Sequence, residues 1–263
     1  MTEADAPPRS PRAFFALTVA LLIPFWALGF AAHVPGLPMN LPLSALGTFC
    51  PLIAAIILTR RQGGPGHVRR LLRRILDVGA IPRKRWLAPI VLLMPAVMTL
   101  SYLAMRAMGK TLPEPHIHAL AVPALLLAYL AAAAGEEVGW TAYATDALQA
   151  RHGALTTALI VGAVWAAIHV IGFWQAHPSV PWIAWQCLVT LTLRIIMVWL
   201  YHHSGRSLFG IILFHATINL SVSLFPIGGS HYDPAVTAVI LMAIATTLIL
   251  LDRPMRLPRP APQ

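Results

Sequence analysis

An all-α, polytopic membrane helix bundle with about eight transmembrane helices is the fold class this sequence predicts, and three observations point to it. The 263 residues are 58% hydrophobic and 11% charged, with a mean hydropathy of +0.71. Soluble domains run at about 45–50% apolar and about 25% charged, so the chain lacks the charge to cover a water-facing surface. Eight apolar stretches approach the ~20 residues that cross ~30 Å of hydrocarbon. The basic residues then sort between the loops in the way a membrane topology requires. So much apolar sequence excludes intrinsic disorder. A net charge of +10 in a soluble protein would suggest nucleic acid. Here it reads as topology, and no nucleic-acid partner is expected. Cys50 and Cys187 both lie in apolar runs, which gives no disulfide framework.

In chain order, the expected spans are Ala13–Ala32, Leu41–Thr59, Trp86–Met105, Ala119–Trp140, Leu155–Trp174, Trp182–Tyr201, Leu208–Phe225 and Ala235–Leu251. They form one transmembrane domain, 13–251, between an N-terminal tail, 1–12, and a C-terminal tail, 252–263. Pro38, Pro82, Pro181, Pro226 and Pro234 punctuate the loops. Pro24, Pro51, Pro89, Pro95 and Pro123 fall inside spans, where neighbouring helices can satisfy the freed carbonyls. The loop 60–85 holds nine basic residues against Asp77 alone, so the positive-inside rule makes it cytoplasmic. Counting outward puts both tails, Arg151 and Arg206 on that side as well, sixteen of the nineteen basic residues. The segment His67–Val78 sets apolar residues at helical spacing among arginines. It reads as an amphipathic helix on the inner leaflet or as a solvated topogenic loop. The first span is too long for a signal peptide's apolar region of about 7–15 residues. The setting expected is a prokaryotic inner membrane, with both termini cytoplasmic.

Ionisable residues inside a span cost on the order of 2.5–3.5 kcal/mol each on insertion scales, so the few present are informative. Glu136 and Glu137 sit deep in the fourth span, and adjacent helical positions point about 100° apart. The two therefore take different roles, one toward the bundle centre and one toward a neighbouring helix. A fourth span ending at Ala134 would instead leave both solvated. His169 lies in the fifth span with Trp165 one turn earlier on its face; alone it reads as readily as a hydrogen-bonded core residue. His215 and Asn219 share a face of the seventh span, where simple interhelical bonding is the alternative. Arg194, in the sixth, is the remaining intramembrane charge, placed to snorkel or to pair with a buried carboxylate. Together, two carboxylates, two histidines and an asparagine from three helices can surround water or a divalent ion. A carboxylate beside such a water can act as general base, and histidines can stabilise an oxyanion. Zinc takes ligands of these types.

The residues Glu136–Thr141 (EEVGWT), Trp165–His169 (WAAIH) and His215–Asn219 (HATIN) resemble the three ordered motifs of the CPBP family. That family comprises the CAAX prenyl protease type II and bacteriocin-processing enzymes. The resemblance covers about Ala131 to Ser221. It implies an intramembrane metalloendopeptidase in which Glu137 activates water beside Glu136, while His169, His215 and Asn219 hold a metal, or the water and oxyanion. The implied cofactor is a divalent metal, zinc, on Glu137, His169 and His215; a metal-free glutamate mechanism is the alternative. The implied partners are the lipid bilayer and a hydrophobic peptide or membrane-protein substrate. One position departs: the arginine that ends the family's first motif is Thr141 here. Three explanations stay open. Arg194 supplies the charge, desolvation keeps the glutamate neutral, or the chain is an impaired member acting as a membrane scaffold or immunity-type binding protein. A transporter is disfavoured, since no inverted repeat or paired broken helices are visible.

Overall fold

The computed structural model describes residues 9–32, 40–114, 117, 120–252 and 255. The tails 1–12 and 252–263 therefore lie largely outside the described residues, as do His116 and His118. Among the described residues every regular element is helical. The first five helices are α1 (Pro11–Ala31), α2 (Cys50–Gly63), α3 (Pro65–Arg73), α4 (Leu87–Ala107) and α5 (Ala121–Gly139). A wide π-type turn, Trp140–Thr145, carries α5 into α6 (Asp146–Gln149). The chain continues through α7 (Ala154–Ala176), α8 (Val180–His203), α9 (Leu208–Ser223) and α10 (Pro234–Leu251).

The molecule is an all-α polytopic membrane bundle: among the described residues, seven helical segments are long and apolar enough to cross a bilayer. The seventh expected span, Leu208–Phe225, is shorter than anticipated. The α9 helix has 16 residues, ~24 Å at ~1.5 Å per residue, because Pro226 biases Phe225 away from the helical region. It packs among α4, α5 and α8 with most of its residues buried. Protein surrounds it, so its length need not match the hydrocarbon thickness. Large apolar side chains on the outer helices, among them Ile23, Phe30, Leu92, Leu103 and Leu127, are exposed, as a lipid-facing surface requires.

Most of the prolines inside expected spans fall where they do little harm. Pro51, Pro89 and Pro123 occupy the first turns of α2, α4 and α5, where an N–H has no intrahelical acceptor. Only Pro24 and Pro95 are helix-internal. Ahead of Pro51, the residues Leu43–Phe49 wind as a tighter 3₁₀ segment. The fourth expected span also runs on past Trp140, through the π-type turn to Gln149. Glu136 and Glu137 are thus deeper inside a continuous helical segment than a span ending at Trp140 suggested.

The amphipathic segment is partly as expected. A helix covers Pro65–Arg73, but the chain then tightens over Arg74–Leu76 and docks on the bundle. The Asp77 carboxylate accepts the backbone N–H groups of Leu208 at 3.0 Å and Phe209 at 2.9 Å, capping the otherwise unpaired donors at the start of α9. Arg9, Arg74 and Arg206 all meet at Asp146. Three segments that charge sorting put on one side therefore converge at one end of the bundle. Lys110 pairs with Asp233 between the α4 exit and the start of α10.

Candidate active site

The two glutamates are placed by the glycines that frame them. A Cβ on Gly139 would lie 2.6 Å from the Pro51 carbonyl oxygen, and one on Gly135 would lie 2.7 Å from the Phe49 ring. This small-xxx-small edge lets α5 press against the Thr48–Pro51 backbone. Gly162 plays the same part between α7 and α8, where a Cβ would come 3.1 Å from that of Arg194. The ring of Phe14 packs edge-on against Trp140 at 5.2 Å, pinning α1 to the turn that follows the glutamates.

Glu137 is fully buried and fully occupied. Arg194 reaches across from α8 and grips both carboxylate oxygens, Nη1 to Oε2 at 2.8 Å and Nη2 to Oε1 at 3.0 Å. Both side chains are 0% exposed. Thr141 donates to Oε2 at 2.5 Å, and His215 Nδ1 lies 2.9 Å from Oε1. A carboxylate only accepts, so the proton at that contact sits on Nδ1 and leaves Nε2 of His215 as the outward nitrogen. The absent motif arginine is thereby replaced in space. Thr141 contributes a hydroxyl at the motif position, and the positive charge comes from Arg194, whose Nη1 is 3.5 Å from that hydroxyl.

Glu136 faces elsewhere, as the angle between adjacent helical positions requires. It is half-buried. Its Oε2 accepts from Trp165 Nε1 at 2.8 Å, and its Oε1 lies 3.2 Å from the Thr48 hydroxyl. That hydroxyl is shared with the Ala132 carbonyl at 3.2 Å, so Oε1 is the less committed oxygen and no cation pairs with it among the described residues. His169 Nδ1 lies 2.7 Å from the Trp165 carbonyl. The carbonyl accepts, so in the neutral ring Nε2 carries a free lone pair. Asn219 follows His215 by one turn on α9 and is half-buried.

Trp165 joins the two halves. Its indole N–H holds Glu136, its ring lies edge-on to His169 at 5.5 Å and to His215 at 5.4 Å, and Arg194 covers its face at 4.2 Å. Trp165, Thr48 and Thr141 were not singled out as site residues in the sequence. The signal for Trp165 was present in its aromatic side chain one turn before His169; nothing in the sequence marked Thr48.

The donor set does not fit a zinc ion on Glu137, His169 and His215. Both Glu137 oxygens already serve Arg194, and His215 turns a protonated nitrogen toward the same carboxylate. Among the described residues no group of three His, Cys, Asp or Glu side chains is arranged to hold a metal. Instead the arrangement offers one carboxylate with an available oxygen and one imidazole lone pair, both tied to Trp165, and the Asn219 amide on α9.

Comparison with known proteins agrees with the motif reading. A family model described as type II CAAX prenyl endopeptidase Rce1-like matches residues 117–221. The protein named CAAX prenyl protease 2 from Methanococcus maripaludis is 27% identical, over 94% of this chain and 95% of its own length. The matched stretch, which is similar to the Rce1-like CAAX prenyl endopeptidase family, contains Glu136, Glu137, His169, Arg194, His215 and Asn219.

Proposed function

We propose that the chain is an intramembrane endopeptidase in which Glu136, rather than Glu137, activates the hydrolytic water. The observation that carries this is the complete occupation of Glu137 by Arg194, Thr141 and His215. A carboxylate whose lone pairs are all engaged is a poor base, while Glu136 keeps an oxygen with only a shared hydroxyl against it. His169 Nε2 accepts one hydrogen of the water and orients it, and Glu136 removes the other as the oxygen attacks the scissile carbonyl carbon. The oxyanion that forms accepts a hydrogen bond from the Asn219 amide, one turn after His215 on α9. As the tetrahedral species collapses, the proton on Glu136 passes to the leaving amine. The substrate is a hydrophobic or membrane-associated peptide, and the relative's name makes a prenylated CAAX peptide the first to test. Both termini face the cytoplasm of a prokaryotic inner membrane. The scaffold alternative rests on the missing arginine, and the pairing of Arg194 with Glu137 supports the peptidase reading.

The test compares Glu136→Gln with Glu137→Gln in the purified protein, using cleavage of a prenylated peptide and thermal unfolding. Loss of a general base costs about 10²–10⁴-fold. Glu136→Gln should therefore lose at least about 100-fold in kcat at unchanged thermal stability, whereas Glu137→Gln should chiefly destabilise. Wild-type turnover by Glu136→Gln would rule the assignment out.

A further inference from the structure

A polar cavity lies among the arginines at the Asp146 end of the bundle. It occupies about 100 Å³ between the N-terminal segment, the end of α2 and the amphipathic α3. Arg9, Thr59, Gln62, His67, Arg70 and Arg74 line it. The space is far below the ~300–1,000 Å³ of a drug-sized site and suits one compact group.

Its charge is unbalanced. Arg9, Arg74 and Arg206 share the single carboxylate of Asp146, at 3.8, 2.7 and 2.5 Å. Arg70 is exposed and forms no ion pair among the described residues. Of the three arginines that line the cavity, two share one acid with Arg206 and the third, Arg70, has none. Two polar atoms of the lining residues also lack a partner. Thr59 is only 6% exposed, yet its Oγ1 makes no hydrogen bond, and neither does the buried Nε2 of His67. A buried hydroxyl without a partner is costly and uncommon. Here it sits beside an excess of positive charge, where an oxyanion would satisfy it. The segment that carries the cavity is α3, whose arginines and apolar residues alternate as in helices lying in the headgroup layer.

We infer that this cavity binds a phosphate group, with Arg70 and Arg9 as the charged donors and the Thr59 hydroxyl as the buried one. Arginine's planar fork suits phosphate oxygens, and basic pockets at the membrane surface take phospholipid headgroups in this way. A phospholipid headgroup and free phosphate share that chemistry.

The experiment titrates the full chain in non-ionic detergent with inorganic phosphate and, separately, with short-chain phosphatidylglycerol. Short-chain phosphatidylcholine is the zwitterionic control, and binding is read by native mass spectrometry. One saturable site is expected. Thr59→Val keeps the side-chain shape and Arg70→Gln alters an exposed residue, so neither threatens folding. Each should weaken binding about tenfold or more, the effect of losing one hydrogen bond to a charged group. Arg69→Gln, an exposed arginine of the same helix outside the cavity, should bind as wild type. Binding of phosphate alone identifies the free ion as ligand, and binding of the lipid only identifies the headgroup. The inference is overturned if neither anion binds stoichiometrically. It is equally overturned if Arg69→Gln weakens binding as much as Arg70→Gln, since that is diffuse surface attraction. None of these readouts depends on peptidase activity.

Discussion

Removing Arg194 isolates one cause and gives a measurable effect. In Arg194→Leu the apolar volume is roughly kept, but Glu137 loses contacts of 2.8 and 3.0 Å to both its oxygens. Only the Thr141 hydroxyl and His215 remain against a carboxylate that is 0% exposed. Breaking a buried pair from one side costs about 3–5 kcal/mol, because the surviving charge is left uncompensated. At about 2–4 °C per kcal/mol for a chain of this size class, Tm should fall by roughly 6–20 °C in a detergent-solubilised thermal shift assay. The double variant Glu137→Gln/Arg194→Leu removes the orphaned charge and should recover most of that loss. Thr141→Arg/Arg194→Leu returns the guanidinium to the position one turn after Glu137, where the family motif carries it, and should recover stability too. An unchanged Tm in Arg194→Leu refutes the reasoning. So does a double variant Glu137→Gln/Arg194→Leu no more stable than Arg194→Leu, since the penalty would then come from lost packing and not from charge.

Three further outcomes can be checked independently. Gly139→Ala puts a methyl group 2.6 Å from the Pro51 carbonyl oxygen, so overpacking of about 1–3 kcal/mol should lower Tm with no direct contact to the substrate. Strong chelators should leave peptide cleavage by the purified protein unchanged, since the donor set around Glu137 does not fit a metal; loss of activity on chelation, restored by zinc, contradicts this. At the start of α10, burial pushes the Asp233 carboxyl up, but its hydrogen bond and ion pair with Lys110 prevail and hold it below the usual carboxylate range. Its stabilisation is therefore present above about pH 4 and fades as pH falls through the lowered native value. Because Lys110 is 46% exposed, the contribution is about 1 kcal/mol or less, and Asp233→Asn should show that small deficit at pH 7 and none at pH 2.

How much of the site could be read from the sequence follows from what charge costs in a membrane. Glu136, Glu137, His169, His215 and Arg194 stood out because each is expensive inside an apolar span, and expense is visible residue by residue. Their division of labour was not visible. Helical geometry says that Glu136 and Glu137 diverge, but which one meets Arg194 depends on how α5 is rotated against α8 and α9. That rotation is set by close approach at Gly135, Gly139 and Gly162, and so by contacts between distant segments. Asp146 lies past the expected end of the fourth span at Trp140 because periodicity does not announce a π-type turn; the turn carries it onward to three arginines. Thr48 holds Glu136 only because the chain before Pro51 winds tightly, which depends on the tertiary approach of α5.

The displaced arginine also has a structural consequence that an arginine at position 141 would lack. A guanidinium at position 141, in the turn that continues α5, would neutralise Glu137 from its own segment and leave α8 free to move relative to it. Arg194 neutralises the same carboxylate from α8, so the charge pair is also a bolt between two helices. The same group lies 4.2 Å over the ring of Trp165, and Trp165 holds Glu136 through its indole N–H. The ion pair that satisfies the buried glutamate is therefore in contact with the residue that orients the carboxylate assigned to the water. Its loss should reach kcat through Glu136 as well as Tm. Restoring charge with Thr141→Arg/Arg194→Leu then separates the two effects: stability depends on the charge returning anywhere near Glu137, whereas the orientation of Trp165 depends on a guanidinium arriving from α8.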